Sequence, residues 1–186
     1  LFAANPDLAL VVPSANRRFV AERLGMREDR LHCLEAGEQL SLEPFTLHAV
    51  PAAHEQLDRD PQGRHPYLGF VASFGPWAIY HSGDTVPYEG MADLLYPFQL
   101  DLAMLPINGR SPVRDVPGNL WGREAVQLAR QAGISMVIPC HFDMFTFNTE
   151  TPDEFLQQAG EQGQAGQVLQ CGERFSSHQI LSGSGQ

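Results

Sequence analysis

Three stretches of the chain end an apolar run and then place a side chain able to hold a metal. They are Val50-Pro51-Ala52-Ala53-His54, Ile79-Tyr80-His81-Ser82-Gly83-Asp84 and Val137-Ile138-Pro139-Cys140-His141-Phe142-Asp143. Imidazole and carboxylate ligands together suit zinc, manganese or iron, and carboxylates can bridge two ions. Strand ends are where sites gather in layered α/β folds, because rigid strands fix geometry while loops stay open to substrate. Taken singly, each signal is weak. A lone histidine is more often a satisfied polar residue, and Asp84 or Asp143 could be a turn residue bonding its own backbone. The weight lies in the same chemistry following three separate apolar runs.

The elements that must position these residues alternate between strand and helix. Ala9-Leu10-Val11-Val12 reads as a buried strand ending at Pro13. Ser14 then stands where it could cap a helix through Leu24, with Gly25 just past its end. Phe45 to Val50 alternates as a strand running into Pro51, and Tyr67–Phe74 with Trp77–Tyr80 flanks Gly75-Pro76 as a hairpin. Leu100–Ile107 and Met136–Ile138 are further buried strands. Between them Ala125, Leu128, Ala129 and Ala132 fall at helical spacing and Gly133 ends the run. Thr151-Pro152-Asp153-Glu154 predicts a capping box opening another helix, Val168–Cys171 predicts a last strand, and a frayed tail is expected from Ser182. Hairpin strands followed by strand–helix units imply a layered α/β domain, and periodicity takes the fold no further.

Composition narrows the partners. The chain has 186 residues, 43% hydrophobic and 18% charged, enough for one sizeable core and a single domain over 1–186. A net charge of −10 disfavours nucleic acid, which needs clustered basic side chains, and also an anionic membrane surface. No apolar run approaches the roughly 20 residues of a membrane helix, and no signal peptide is visible at the start. The three cysteines, Cys33, Cys140 and Cys171, have no C-x-x-C pairing, so free buried thiols in a reducing, cytoplasmic compartment are expected. Homo-oligomerisation stays open.

The stretches His81-Ser82-Gly83-Asp84-Thr85, Leu105-Pro106-Ile107-Asn108-Gly109-Arg110 and Pro139-Cys140-His141-Phe142-Asp143-Met144-Phe145 resemble the metallo-β-lactamase superfamily. Within it they are most similar to the L-ascorbate-6-phosphate lactonase-like metal-dependent hydrolases. The likeness runs from the Ala9 strand to Glu173-Arg174-Phe175. It implies a four-layer αβ/βα sandwich, of which this chain is the C-terminal portion. It also implies two divalent ions, zinc or manganese foremost, with His54 and His141 as ligands and Asp84 as the bridge. The family's H-x-H-x-D-H motif is absent from this sequence, so an N-terminal segment beyond Leu1 is expected to complete the site.

Other positions carry two readings each. His81 could orient Asp84 or be an ordinary polar residue. Asp143 could orient His141 or move a proton. Asn108 and Arg110 follow an apolar strand, where arginine suits a phosphate or carboxylate, or else they anchor the loop. Asn119 could cap the Ala125 helix. The polar Glu55–His65 segment is either a lid or a solvated loop. The function these readings imply is hydrolysis of a small anionic ester, lactone or phosphoester by a metal-activated water. No G-x-S-x-G elbow is present, and Cys140 and His141, adjacent on a strand, point to opposite faces. The alternative is a non-catalytic scaffold of the same fold that has lost its main metal motif.

Overall fold

The computed structural model describes residues 4–5, 7–178 and 180. The elements in chain order are β1 (Leu10–Pro13), α1 (Arg17–Leu24), β2 (Leu31–Leu34), β3 (Gln39–Leu42), β4 (Phe45–Pro51), β5 (Leu68–Phe74) and β6 (Trp77–His81), followed by α2 (Met91–Leu95), β7 (Leu102–Pro106), α3 (Gly122–Ala132), β8 (Met136–Cys140) and α4 (Asp153–Gln162). Six strands form one sheet in the order β3-β4-β5-β6-β7-β8, and β1 pairs in parallel with β2 in a separate two-stranded sheet. This is the mixed α/β sandwich that the resemblance implied.

Strand direction decides where the chemistry falls. The pairs β4–β5 and β5–β6 are antiparallel, whereas β6–β7 and β7–β8 are parallel. Strands β4, β6, β7 and β8 therefore run the same way, and their C-terminal ends share one edge of the sheet. His54, Asp84, Asn108 and His141 follow those four ends.

The sheet buries both faces through period-two alternation. On one face Tyr80, Ala103, Leu105 and Val137 pack with Leu95, Val126, Ala129 and Phe155 from the helices. On the other face Leu102, Met136 and Ile138 meet Ile180, with Trp77, Ile79 and Met104 partly buried beside them. Fully burying such an aliphatic or aromatic side chain contributes roughly 1.5–3 kcal/mol, so this double-sided core fixes the strand ends firmly. Helix α3 lies close against α4 at Gly122, where a Cβ would sit 2.5 Å from the Phe155 nitrogen.

Several expectations need correction. Val168–Cys171 is not a strand; only Gly166 forms a single bridge, to Val137, with the flanking Ala165 carbonyl and Gln167 N–H bonding Val137. The Thr151 box does not form either. Thr151 Oγ1 donates to Asp153 instead, and Glu154 turns to Arg123. Ser14 makes no capping bond, since a 3₁₀ turn over Ser14–Asn16 precedes α1. Gly25 and Gly133 do end their helices in the left-handed conformation. The tail from Ser182 lies outside the described residues. No helix among the described residues is long and apolar enough to cross a membrane.

Candidate metal centre

Three strand ends bring His54, Asp84 and His141 together. His54 Nε2 lies 3.8 Å from Asp84 Oδ2, and His141 Nε2 lies 3.5 Å from the same oxygen. Both separations exceed a hydrogen bond. Two ligands on one small divalent cation, at about 2.1 Å each, stand about 3.4 Å apart in tetrahedral geometry.

The loops that carry the first two residues are laced to each other. The Ala53 N–H donates to Thr85 Oγ1 at 3.0 Å, Thr85 Oγ1 donates to the Val86 carbonyl at 2.9 Å, and the Val86 N–H returns to the Ala53 carbonyl at 2.7 Å. Ala53 and Thr85 are fully buried, so these bonds are made away from water. Thr85 was quoted in the sequence motif without a role, and no local pattern marks it as the tie between His54 and Asp84. Gly83 precedes Asp84 at φ 63°, a left-handed turn in which a Cβ would meet the Leu68 carbonyl at 3.3 Å.

His81 turns away from the role of orienting Asp84. Its Nδ1 accepts the Gly83 N–H at 3.0 Å, which leaves Nε2 to carry the proton and fixes the turn rather than the carboxylate. Loss of hydration at the strand end pushes its pKa below the ordinary histidine value, more than the Asp84 charge pushes it up.

His141 and Asp143 both adopt left-handed backbone, with φ of 57° and 55°. For residues other than glycine this costs about 1–3 kcal/mol each and is found where the surroundings over-determine the conformation. Part of that determination is visible: the Asp143 N–H donates to Thr149 Oγ1 at 2.7 Å. Asp143 itself is exposed. Cys140 is no nucleophile, because burial first and the Asp84 charge second push its thiol up to about 12. All three cysteines are free; against the expectation of buried thiols, Cys33 and Cys140 are half-buried and Cys171 is exposed.

Asn108 and Arg110 stand at the end of β7 but face other partners. Asn108 is fully buried; its Oδ1 accepts from Asn119 Nδ2 at 2.9 Å and its Nδ2 donates to Asn148 Oδ1 at 3.2 Å. Asn119 therefore braces Asn108 rather than capping α3, whose N-cap is Trp121. The Arg110 guanidinium donates to both Glu124 carboxylate oxygens, at 2.6 and 2.7 Å, and to the Asn119 carbonyl. Its fork is occupied within the fold, the contact set of a loop anchor. Around the Glu55–His65 segment, the Asp60 carboxylate accepts from the Gln62 and Arg64 N–H groups and from Arg64 Nε, and His65 is buried. These bonds tie the segment down locally.

Does the trio fit a metal? His141 Nδ1 is buried with no hydrogen-bond partner, while its other nitrogen faces a carboxylate beyond hydrogen-bonding distance. A cation among the three side chains would take the Nε2 lone pair, with the ring proton then on the buried Nδ1. Two imidazoles and one carboxylate are the donor set that zinc or manganese takes. Among the described residues, no set of three or more His, Cys, Asp or Glu side chains is gathered closely enough to hold an ion by itself. The arrangement is a partial ligand set, open on one side.

The model of the β-lactamase superfamily domain matches residues 7–142. The chain belongs to that superfamily. A UPF0173 metal-dependent hydrolase from Myxococcus xanthus is 31% identical over 137 residues, covering 70% of this chain and 46% of the relative. Another from Metallosphaera sedula is 28% identical over 155 residues, covering 83% of this chain and 63% of the relative. The chain thus spans about half the length of the curated relatives it matches. Among solved structures, the metallo hydrolase Igni18 from Ignicoccus hospitalis superposes with a TM-score of 0.71 over 94% of this chain and 72% of its own, at 20% identity. That likeness shows the fold.

Proposed function

We propose that the protein containing this chain is a metal-dependent hydrolase that cleaves a small ester or lactone carbonyl. The observation that carries the reading is the convergence of His54 Nε2 and His141 Nε2 on one oxygen of Asp84 from three separate strand ends. The naming of the relatives as metal-dependent hydrolases supports it. His54, Asp84 and His141 would hold the divalent metal, zinc or manganese. Bound there, such ions make hydroxide available near neutral pH and polarise a carbonyl.

The chain's own residues do the rest. Thr85 keeps His54 and Asp84 in register, and His81 holds the turn that presents Asp84. Asp143, exposed two residues beyond His141, would take up the proton released in the hydrolysis. Substituting Asp84 by alanine in the full-length protein should abolish metal-dependent ester hydrolysis while the fold persists by circular dichroism. Unchanged turnover in that variant would sink the proposal. A non-catalytic scaffold is the second reading, favoured by the open ligand set; metal content separates the two.

A further inference from the structure

The candidate centre is flanked on both sides by exposed aromatic rings. Between His54 and Asp84 opens a cavity of about 300 Å³, whose other walls are Pro13, Ala52, Pro66, Tyr67 and Leu68. The Tyr67 ring lies 5.2 Å from the His54 ring and the residue is 40% exposed. On the other side, the Phe145 ring lies 6.3 Å from the His141 ring, and Phe147 lies 5.7 Å from Phe145. These two phenylalanines are 46% and 60% exposed. The segment bearing them is anchored at both ends, by Thr149 under the Asp143 N–H and by the buried Asn108–Asn148 amide pair. Rings held in place and left in water beside a reactive centre are available for a flat apolar group.

Charge points the same way. The chain contains no lysine, so all 12 basic residues are arginine. Near this edge Arg110, Arg114, Arg123 and Arg64 each meet a carboxylate, of Glu124, Glu150, Glu154 and Asp60 respectively, while the exposed Arg59 donates to the Gly63 carbonyl. None of the residues walling the cavity is basic. A substrate tail bearing phosphate would meet no ready partner in that cavity.

We propose that the site takes an uncharged carbonyl substrate whose tail is aromatic or similarly flat and apolar, gripped between Tyr67 and the Phe145–Phe147 pair. The inference rests on the metal-dependent hydrolase reading for where the carbonyl sits, but the ring contacts are measurable without turnover.

The test is calorimetric binding to the metal-loaded full-length protein with two slow-reacting amides that share an acetamide head. N-benzylacetamide has an aromatic tail, and N-acetylaminoethyl phosphate has an anionic one. N-benzylacetamide should bind the more tightly. Phe145→Ala and Tyr67→Ala should each weaken it by about tenfold, and Phe145→Tyr should restore it. Tighter binding of the phosphate ligand, no binding of N-benzylacetamide, or alanine variants equal to wild type would overturn the inference. A ring-dependent binder with no hydrolytic activity would contradict the hydrolase proposal alone. An active hydrolase whose ligand binding ignores the rings would contradict this inference alone.

Discussion

Thr85→Val removes one hydroxyl and little else, yet it cuts the tie between the loops of His54 and Asp84. The Ala53 N–H, fully buried, loses the acceptor it holds at 3.0 Å, and the Val86 carbonyl loses the donor it holds at 2.9 Å. A buried donor left unsatisfied costs about 1–3 kcal/mol. The Val86 carbonyl loses only a donor, and an under-satisfied carbonyl is tolerated better than an orphaned N–H, so the Ala53 group dominates. The methyl that replaces the hydroxyl returns at most about 0.8 kcal/mol. A net loss of about 1–2 kcal/mol follows, which for a chain of this size lowers Tm by about 2–8 °C. Because the same bond registers His54 against Asp84, metal affinity should fall by about 10–100-fold, as when a ligand's supporting bond is lost. Thr85→Ser keeps the hydroxyl and should keep both properties. Thermal unfolding followed by circular dichroism, beside metal titration, reads the two effects. Equal losses in the serine and valine variants, or no loss in valine, would refute the assigned role of the hydroxyl.

Further outcomes follow from the surrounding contacts. Burial pushes the Glu124 carboxyl up, but bonds from Arg110 and the Trp121 N–H outweigh it and hold its pKa below the ordinary 4.5. A depressed folded pKa contributes stability that is present above 4.5 and lost as pH falls through the folded value. Glu124→Gln should therefore flatten the acid side of the stability–pH curve below about 4.5, measured by urea unfolding at stepped pH; an unchanged slope would deny the coupling. Arg110→Lys gives up the two-pronged bond and should lower stability by about 1 kcal/mol, the partly exposed pair being screened by solvent, while KM for a neutral ester stays unchanged. A KM rise without a stability change would return Arg110 to a substrate role. Gly122→Ala would drive a Cβ to 2.5 Å from the Phe155 backbone and should cost about 1–3 kcal/mol, read from the shift in Tm.

The parts of this molecule that were legible in the sequence are those with local physical signatures. Apolar runs over Phe45–Val50, Trp77–Tyr80 and Met136–Ile138 marked β4, β6 and β8, and Gly75-Pro76 marked the turn of the hairpin. Left-handed glycines marked the ends of α1 and α3. Where local preference met a distant charge, it lost: Glu154 reaches Arg123, 31 residues away, rather than closing the box with Thr151. The edge strand β3, Gln39–Leu42, is short and half polar, so its pattern was too weak to read. That His54, Asp84 and His141 meet depends on β4 running parallel to β6 and β8, which only strand pairing settles. The pairing of Arg110 with Glu124 is likewise a matter of tertiary structure that the local pattern could not show.

The central claim, that His54, Asp84 and His141 are metal ligands, is tested most directly by metal content. Inductively coupled plasma mass spectrometry of the purified full-length protein should find about two divalent ions per chain, as expected of a bridged pair. Asp84→Ala and His141→Ala should each hold fewer while remaining folded. Metal content unchanged in both variants, or no metal in the wild type after reconstitution, would contradict the account and leave the fold as a scaffold.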